Sequence, residues 1–315
     1  NIKDDIRKYI PDTKFPHTKK LRDNTVVDLN KNPITFENLI YNKSGINHYI
    51  TDKTPTSNKT CDNVDLDWMM NHKKSCTDDY YQRYNHKNNK FWVTESIDYF
   101  KDEYLHSIPD RIAKYSTKGW NLLAAAIEQR YKQPFHDQIK KNIIDKIGLT
   151  TLQPDFHSED KIYDKNGTRL YRSKGFKDNY TSRGTDVSYK LGGGGYMSNI
   201  IDFTKWCLSL CKMSHNQQSQ ELSINKNVFN KYYNNINKIS NFTGNKNNYE
   251  HSGSDSENTL TQMYVGDNYG FVIQYNDNKN LNNLNKIIKI IDNKLNQIQF
   301  ETNPNVEKIS NQRYI

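Results

Sequence analysis

The chain has 315 residues and a mass of 37.1 kDa, enough for one large domain with a substantial core. Hydrophobic residues make up only 34% and the mean hydropathy is −0.99, yet 22 Tyr, 12 Phe and 4 Trp supply the apolar bulk of a folded protein, which excludes wholesale disorder. The formal charge of +9 comes from lysines spread along the whole length, with no sustained basic block, so a nucleic-acid site is not indicated; no apolar run approaches the roughly 18 residues of a membrane-spanning helix.

In chain order, Ile2, Ile6 and Ile10 stand at helical spacing before Pro11 and predict a helix over 1–10. Thr35 is placed to cap a short helix containing Phe36, Leu39 and Ile40, with Gly45 as its stop. Residues 51–104 are polar, lack a long apolar period and read as an insertion, partly helical around DLDWMMNH and SIDYFKDEYL. A helix over 118–131 carries Trp120, Leu123, Ala124, Ile127 and Tyr131 on one stripe. A second helix follows over 134–147, stopped by Gly148. Asn166-Gly167 predicts the turn of a hairpin.

Four glycines, Gly192 to Gly195, then lead into a helix that Asn199 can cap, with Asp202 three residues on as in a capping box. Residues 214–249 are polar and of low complexity. TLTQMYV and YGFVIQYN read as an antiparallel hairpin, and Leu284, Ile287, Ile288, Ile291, Leu295 and Ile298 as one face of a terminal helix. Helices, then strands, then a covering helix indicate an α+β fold. The reading is one domain over 1–300, interrupted by the 51–104 insertion and followed by a tail, 301–315.

The glycine run lacks the Gly-Lys-Ser/Thr ending of a P-loop, and reads as a turn where the backbone passes close to something. Metal chemistry has little support: the histidines are scattered, and neither His-Glu-x-x-His nor Cys-x-x-Cys occurs. His48 reads as a loop-packing residue. Cys207 and Cys211 fit buried thiols at least as well as a metal pair, and Cys61 and Cys76 could pair with each other. Five Asn-x-Ser/Thr sequons are what an Asn-rich chain yields by chance and carry no argument for secretion.

Three short phrases in fixed order carry the functional reading: KYST before the 118–131 helix, the glycine turn LGGGGYMS, and EHSGS before the final hairpin. Together they resemble the penicillin-binding-protein and class C β-lactamase superfamily of serine hydrolases. The resemblance runs through nearly the whole chain, from NIKDDIRKYIPDTKFP and ITFENLIYNKSGINHY to SYKLGGGGYMSNIIDFTKW. SIDYFKD, LTTLQ and DVSYKLGGGG are similar, more narrowly, to the animal mitochondrial branch of serine β-lactamase-like proteins, which implies a mitochondrial location and a peptidase.

The resemblance implies a β-lactamase/transpeptidase-like fold, an antiparallel sheet flanked by helices with a helical subdomain and a cleft between them. It also implies roles. Tyr115 would be the base that serves the nucleophilic serine, a role for which a phenol of pKa about 10 needs cationic help. Ser116 and Thr117 would line the cleft, Thr117 in a place commonly held by Asn. Gly193 and Gly194 would form one wall, and His251, Ser252 and Gly253 the opposite edge. The Ser254 N–H would be half of an oxyanion hole.

The family's Ser-x-x-Lys is not found ahead of Tyr115; the matches at Ser158, Ser209 and Ser223 come late and out of context. The expectation is a chain cut shortly beyond its nucleophile helix, without the family's first sheet strands. The intact parent is expected to be a peptidase or amidase working through a serine acyl-enzyme on a peptide or small acyl substrate, with no metal or organic cofactor. The alternative is a non-catalytic scaffold of the same fold that assembles into homo-oligomers.

Overall fold

The computed structural model describes residues 1–48, 92–155, 188–214, 249–254, 260–265, 270–275 and 281–297, with two-residue strands at 162–163, 169–170, 176–177 and 180–181. Ile6 and Ile10 are buried as their spacing requires, but the helix expected over 1–10 is only a 3-10 turn, Ile6–Lys8. The backbone there bonds sideways instead. Ile6 N–H donates to Ile34 O, Phe36 N–H to Asp4 O, and Asp5 forms a β-bridge with Thr35. The Asp5 carboxylate also accepts the Arg7 N–H at 2.9 Å, while the Arg7 guanidinium reaches Leu29 O at 2.7 Å.

β1 (Thr18–Lys20) and β2 (Val26–Asp28) pair antiparallel with Lys19 opposite Val27. Helix α1 (Phe36–Ile40) begins as expected, Thr35 Oγ1 accepting the Asn38 N–H and Asn38 Oδ1 accepting the Thr35 N–H in return. It ends before Gly45, at Tyr41, with Asn42 in the left-handed region at φ 53°. Gly45 serves a close approach instead. At φ 76° it runs against the Ser107 carbonyl, into which a β-carbon would collide.

A 3-10 helix, Val93–Tyr99, buries Val93 and Ile97, followed by Phe100, in the same core as Ile6, Phe15, Leu29 and Leu122. The end of the stretch read as an insertion is therefore core, and the readings on 51–91, Cys61 and Cys76 among them, lie outside the described residues. Helix α2 (Thr117–Tyr131) is buried on more than the expected stripe: Leu122 to Ala126 are all inside, whereas Tyr131 is 60% exposed. Such a helix is central, not surface-lying.

The expected 134–147 helix is α3 (Phe135–Ile139), a π-helical turn Lys140–Ile144 and α4 (Asp145–Ile147), closed by Gly148 at φ 73°. β3 (Gln153–Pro154) pairs with β8 (Tyr196–Met197). Between them β4 (Ile162–Tyr163) and β5 (Arg169–Leu170) make the hairpin expected around Asn166-Gly167, and β6 (Phe176–Lys177) pairs with β7 (Tyr180–Thr181).

Helix α5 (Ile200–Ser214) is capped by Asn199 Oδ1, which accepts the Asp202 N–H at 2.8 Å. The capping box is not reciprocal. Asp202 instead accepts from Thr150 N–H, Thr151 N–H and Thr151 Oγ1–H, while Asn199 N–H donates to Thr151 Oγ1. This fastens α5 to the loop after α4.

β9 (Tyr249–Ser254), β10 (Leu260–Val265) and β11 (Gly270–Tyr275) form an antiparallel sheet in the order β11-β10-β9. Strand alternation divides its side chains between two layers. Met263, Val265 and Val272 pack with Phe203, Trp206, Cys207 and Leu210 of α5. Leu260, Phe271 and Ile273 pack with Ile288 of α6 (Leu281–Gln297) on the other face. Cys207 is the buried thiol its setting suggested, with Sγ–H donating to Tyr264 O. In α6 the face read from the sequence is narrower, since Ile287 is 49% exposed. Among the described residues no helix is long and apolar enough to cross a membrane.

Candidate active site

The tyrosine motif sits where two loops meet the start of α2. Ser116 is its N-cap: Oγ accepts the Gly119 N–H at 2.9 Å and donates to Asn47 O at 2.8 Å, with the residue only 1% exposed. Asn47 is itself held by its Nδ2–H bond to Tyr104 O at 2.6 Å. The polar turn thus opens a good helix for a physical reason, since its serine satisfies a helix-end donor and ties the segment ending at His48 to the motif.

Thr117 is the junction of the group. Its N–H, one of the donors that a helix start leaves unpaired, is accepted by His48 Nδ1 at 3.2 Å. Its Oγ1–H donates to Tyr115 Oη at 3.1 Å. The His48 and Tyr115 rings then lie 5.1 Å apart between centroids, tilted by 51°. Tyr115 is half-buried, with its hydroxyl located by the helix rather than by a loop. Lys118, the next residue, is buried with Nζ 2.7 Å from Glu103 Oε1.

The glycine turn approaches this same helix end. A β-carbon at Gly193 would stand 2.8 Å from Thr117 O and closer still to Thr117 Cγ2; one at Gly192 would stand 2.5 Å from Trp120 O and 2.6 Å from Ala124 Cβ. What the glycines let the backbone approach is the first two turns of α2. Gly194 follows at φ 123° with open space beside it.

His251, Ser252, Gly253 and Ser254 lie on β9, the outer strand beside β10 among the described strands. Register places His251 opposite Met263, on the layer facing α5, and Ser252 opposite Gln262, on the other layer. Ser252 and Gly253 are exposed and His251 is half-buried. The described contacts join Tyr115, Ser116, Thr117 and Gly193 into one group, whereas the β9 residues belong to the sheet packed on α5.

The family model described as Beta-lactamase matches residues 1–291. The chain belongs to the beta-lactamase family. It is 34% identical over 112 residues to the mitochondrial serine beta-lactamase-like protein LACTB of Mus musculus, over 36% of this chain and 20% of that protein, so the match spans about a fifth of the relative. Among solved structures, this family member resembles a D-stereospecific amidohydrolase from Streptomyces sp. at TM-score 0.58 and 13% identity, over 88% of this chain and 75% of the other. It also resembles a D-amino acid amidase from Ochrobactrum anthropi SV3 at TM-score 0.53 and 12% identity, over 93% and 77%. At such identities these likenesses show the fold, the β-lactamase/transpeptidase-like α+β arrangement.

Two residues of this beta-lactamase-family chain were not singled out for the site by sequence. His48 read as loop packing because its partner, Thr117, is 69 residues away and no periodicity joins them. Glu128, 0% exposed in the last turn of α2, accepts from Val93 N–H, Thr94 N–H and Thr94 Oγ1–H, each at 2.8 Å, and from Phe135 N–H at 2.9 Å. The one signal for it was that α2 carries no other carboxylate. Its burial raises the carboxyl pKa against the pull of those four donors. Among the described residues no cluster of His, Cys, Asp and Glu could hold a metal ion.

Proposed function

We propose that this chain carries much of the cleft of a serine hydrolase of β-lactamase-like type, acting as a peptidase or amidase on a peptide or small acyl substrate. The observation that carries the reading is the Tyr115–Ser116–Thr117 turn, a phenol held at a capped helix start with a hydroxyl donating to its oxygen. A hydrogen bond donated to the phenolic oxygen favours the phenolate, the form able to take a proton from a serine. In this mechanism the serine oxygen adds to the substrate carbonyl, and Tyr115, as the phenolate, takes its proton. The proton then passes to the departing amine as the carbon–nitrogen bond breaks, and water hydrolyses the resulting ester.

β9, outermost among the described strands of its sheet, would offer backbone to an extended substrate by strand addition. There His251, Ser252 and Gly253 would line the substrate, and the Ser254 N–H would be an oxyanion donor worth about 10²–10³ in rate. Gly193 and Gly194 would form the opposite wall. The mechanism requires the serine and lysine of a Ser-x-x-Lys, and a mitochondrial location follows the names of the relatives.

The competing reading is a non-catalytic scaffold of the same fold that forms homo-oligomers. The sequence encoded upstream of Asn1, together with labelling by a fluorophosphonate, separates the two. A Ser-x-x-Lys there, and labelling that is slowed strongly by Tyr115→Phe without unfolding, is expected for the hydrolase. An upstream region without it, in a protein that resists labelling and assembles, would establish the scaffold.

A further inference from the structure

We propose that His48 is the positioning residue for Tyr115, a neutral imidazole that fixes the tyrosine's ring and the start of α2 at once. Three contacts close a circuit. His48 Nδ1 accepts the Thr117 N–H at 3.2 Å, Thr117 Oγ1–H donates to Tyr115 Oη at 3.1 Å, and the Tyr115 ring returns to the His48 ring at 5.1 Å. A nitrogen that accepts an N–H cannot itself carry a proton. The geometry therefore assigns the imidazole proton to Nε2.

The circuit is anchored from outside by the residue before His48. Asn47 O accepts the Ser116 Oγ–H, and Asn47 Nδ2–H donates to Tyr104 O. Ser116 takes the Gly119 N–H while His48 takes that of Thr117, so two side chains divide the donors of one helix end. The consequence for Tyr115 is a single ring orientation, set by a residue in a different segment of the chain.

The contribution to catalysis rests on the hydrolase reading above, so the experiment reads the positioning separately. In ¹⁵N-histidine-labelled protein near pH 7.5, the His48 signal, assigned by its loss in His48→Asn, is expected to show a bare Nδ1 and a protonated Nε2. His48→Phe keeps a ring against Tyr115 but removes the acceptor; the Thr117 amide is expected to lose its protection from hydrogen exchange and Tyr115 its single rotamer. His48→Asn restores an acceptor at the place of Nδ1 and is expected to recover the Thr117 amide. A protonated Nδ1, or a Thr117 amide and Tyr115 rotamer unchanged in His48→Phe, overturns the proposal whatever the activity.

In the protein carrying its nucleophile, His48→Phe is expected to lower kcat by about 10²-fold with KM little changed, the cost of an ångström-scale misplacement, and His48→Asn to recover part of that loss. An active enzyme that Tyr115→Phe disables and His48→Phe does not would overturn the positioning role. If Tyr115→Phe is also without effect while the spectroscopic results hold, the hydrolase assignment of Tyr115 fails and the positioning of its ring stands.

Discussion

Gly193 and Thr117 are in contact across the site: the backbone of the glycine turn rests on the first residue of α2, with no room for a β-carbon between Gly193 and the Thr117 carbonyl. Two motifs far apart in sequence are thereby fixed face to face. Thr117 holds Tyr115 through its hydroxyl, so the glycine turn and the tyrosine form one rigid unit.

Gly193→Ala is expected to destabilise the protein by roughly 1–3 kcal/mol, the range for overpacking a close contact. Besides Thr117 Cγ2, the added carbon meets the Thr117 carbonyl oxygen at 2.8 Å, a backbone atom that cannot rotate away. Gly253→Ala, where an added β-carbon meets nothing within 4 Å, should change stability by less than about 0.5 kcal/mol. Urea midpoints of the two variants measure the contrast, and equal midpoints would refute the contact.

Glu128→Gln is expected to cost roughly 2–4 kcal/mol, because an amide offers only one acceptor oxygen to the four donors that the carboxylate satisfies. The variant also alters pH dependence. Burial raises the folded carboxyl above its unfolded value of 4.5, so this group's contribution is fully present below pH 4.5 and is lost as pH rises through the folded pKa. Unfolding free energies between pH 4 and 7 should therefore lose a downward component in Glu128→Gln.

Glu128 also shows where sequence reading stops. Periodicity located α2, the β10–β11 hairpin and the closing α6, and the Asn166-Gly167 turn signal located β4–β5, since each is written in local sequence. The capping of α1 by Thr35 and of α5 by Asn199 was equally local. The 1–10 segment misled because Asp4, Asp5 and Ile6 spend their backbone bonds on residues 34–36, information no spacing holds. At the site, Tyr115 and the glycine turn were legible as motifs. The His48–Thr117 bond and the Glu128 cluster were not, because they join segments that only the folded chain brings together.

Lys19 is 5% exposed on β1, its ammonium donating to Lys101 O and lying 5.6 Å from the Phe15 ring centroid. Burial lowers its pKa to about 8, against a partial opposing pull from Glu103 and Asp102. The unfolded chain keeps this proton up to about pH 10.5, so between roughly pH 8 and 10.5 the unfolded state binds more protons than the folded one. Stability is expected to rise with pH across that window by up to about 3 kcal/mol from this group. Lys19→Met should remove that rise, and a slope identical to wild type in denaturant titrations would show that Lys19 titrates as it does unfolded.

Ser116→Ala and Thr117→Val separate folding from chemistry at adjacent positions. Ser116 is buried, caps α2 and ties it to Asn47, so its loss strands the Gly119 N–H and the Asn47 carbonyl and should cost about 1–2 kcal/mol. Thr117→Val keeps the backbone N–H that His48 accepts, and removes only the hydroxyl that donates to Tyr115. Its stability should stay within about 1 kcal/mol of wild type. In the proposed hydrolase it should slow acylation by roughly tenfold, the worth of about 1.4 kcal/mol of lost stabilisation of the phenolate that takes the serine proton. Thermal midpoints and fluorophosphonate labelling rates measured on both variants give the two axes. A Thr117→Val protein that is labelled at the wild-type rate would remove the hydroxyl from the mechanism, leaving it only a rotamer lock for Tyr115.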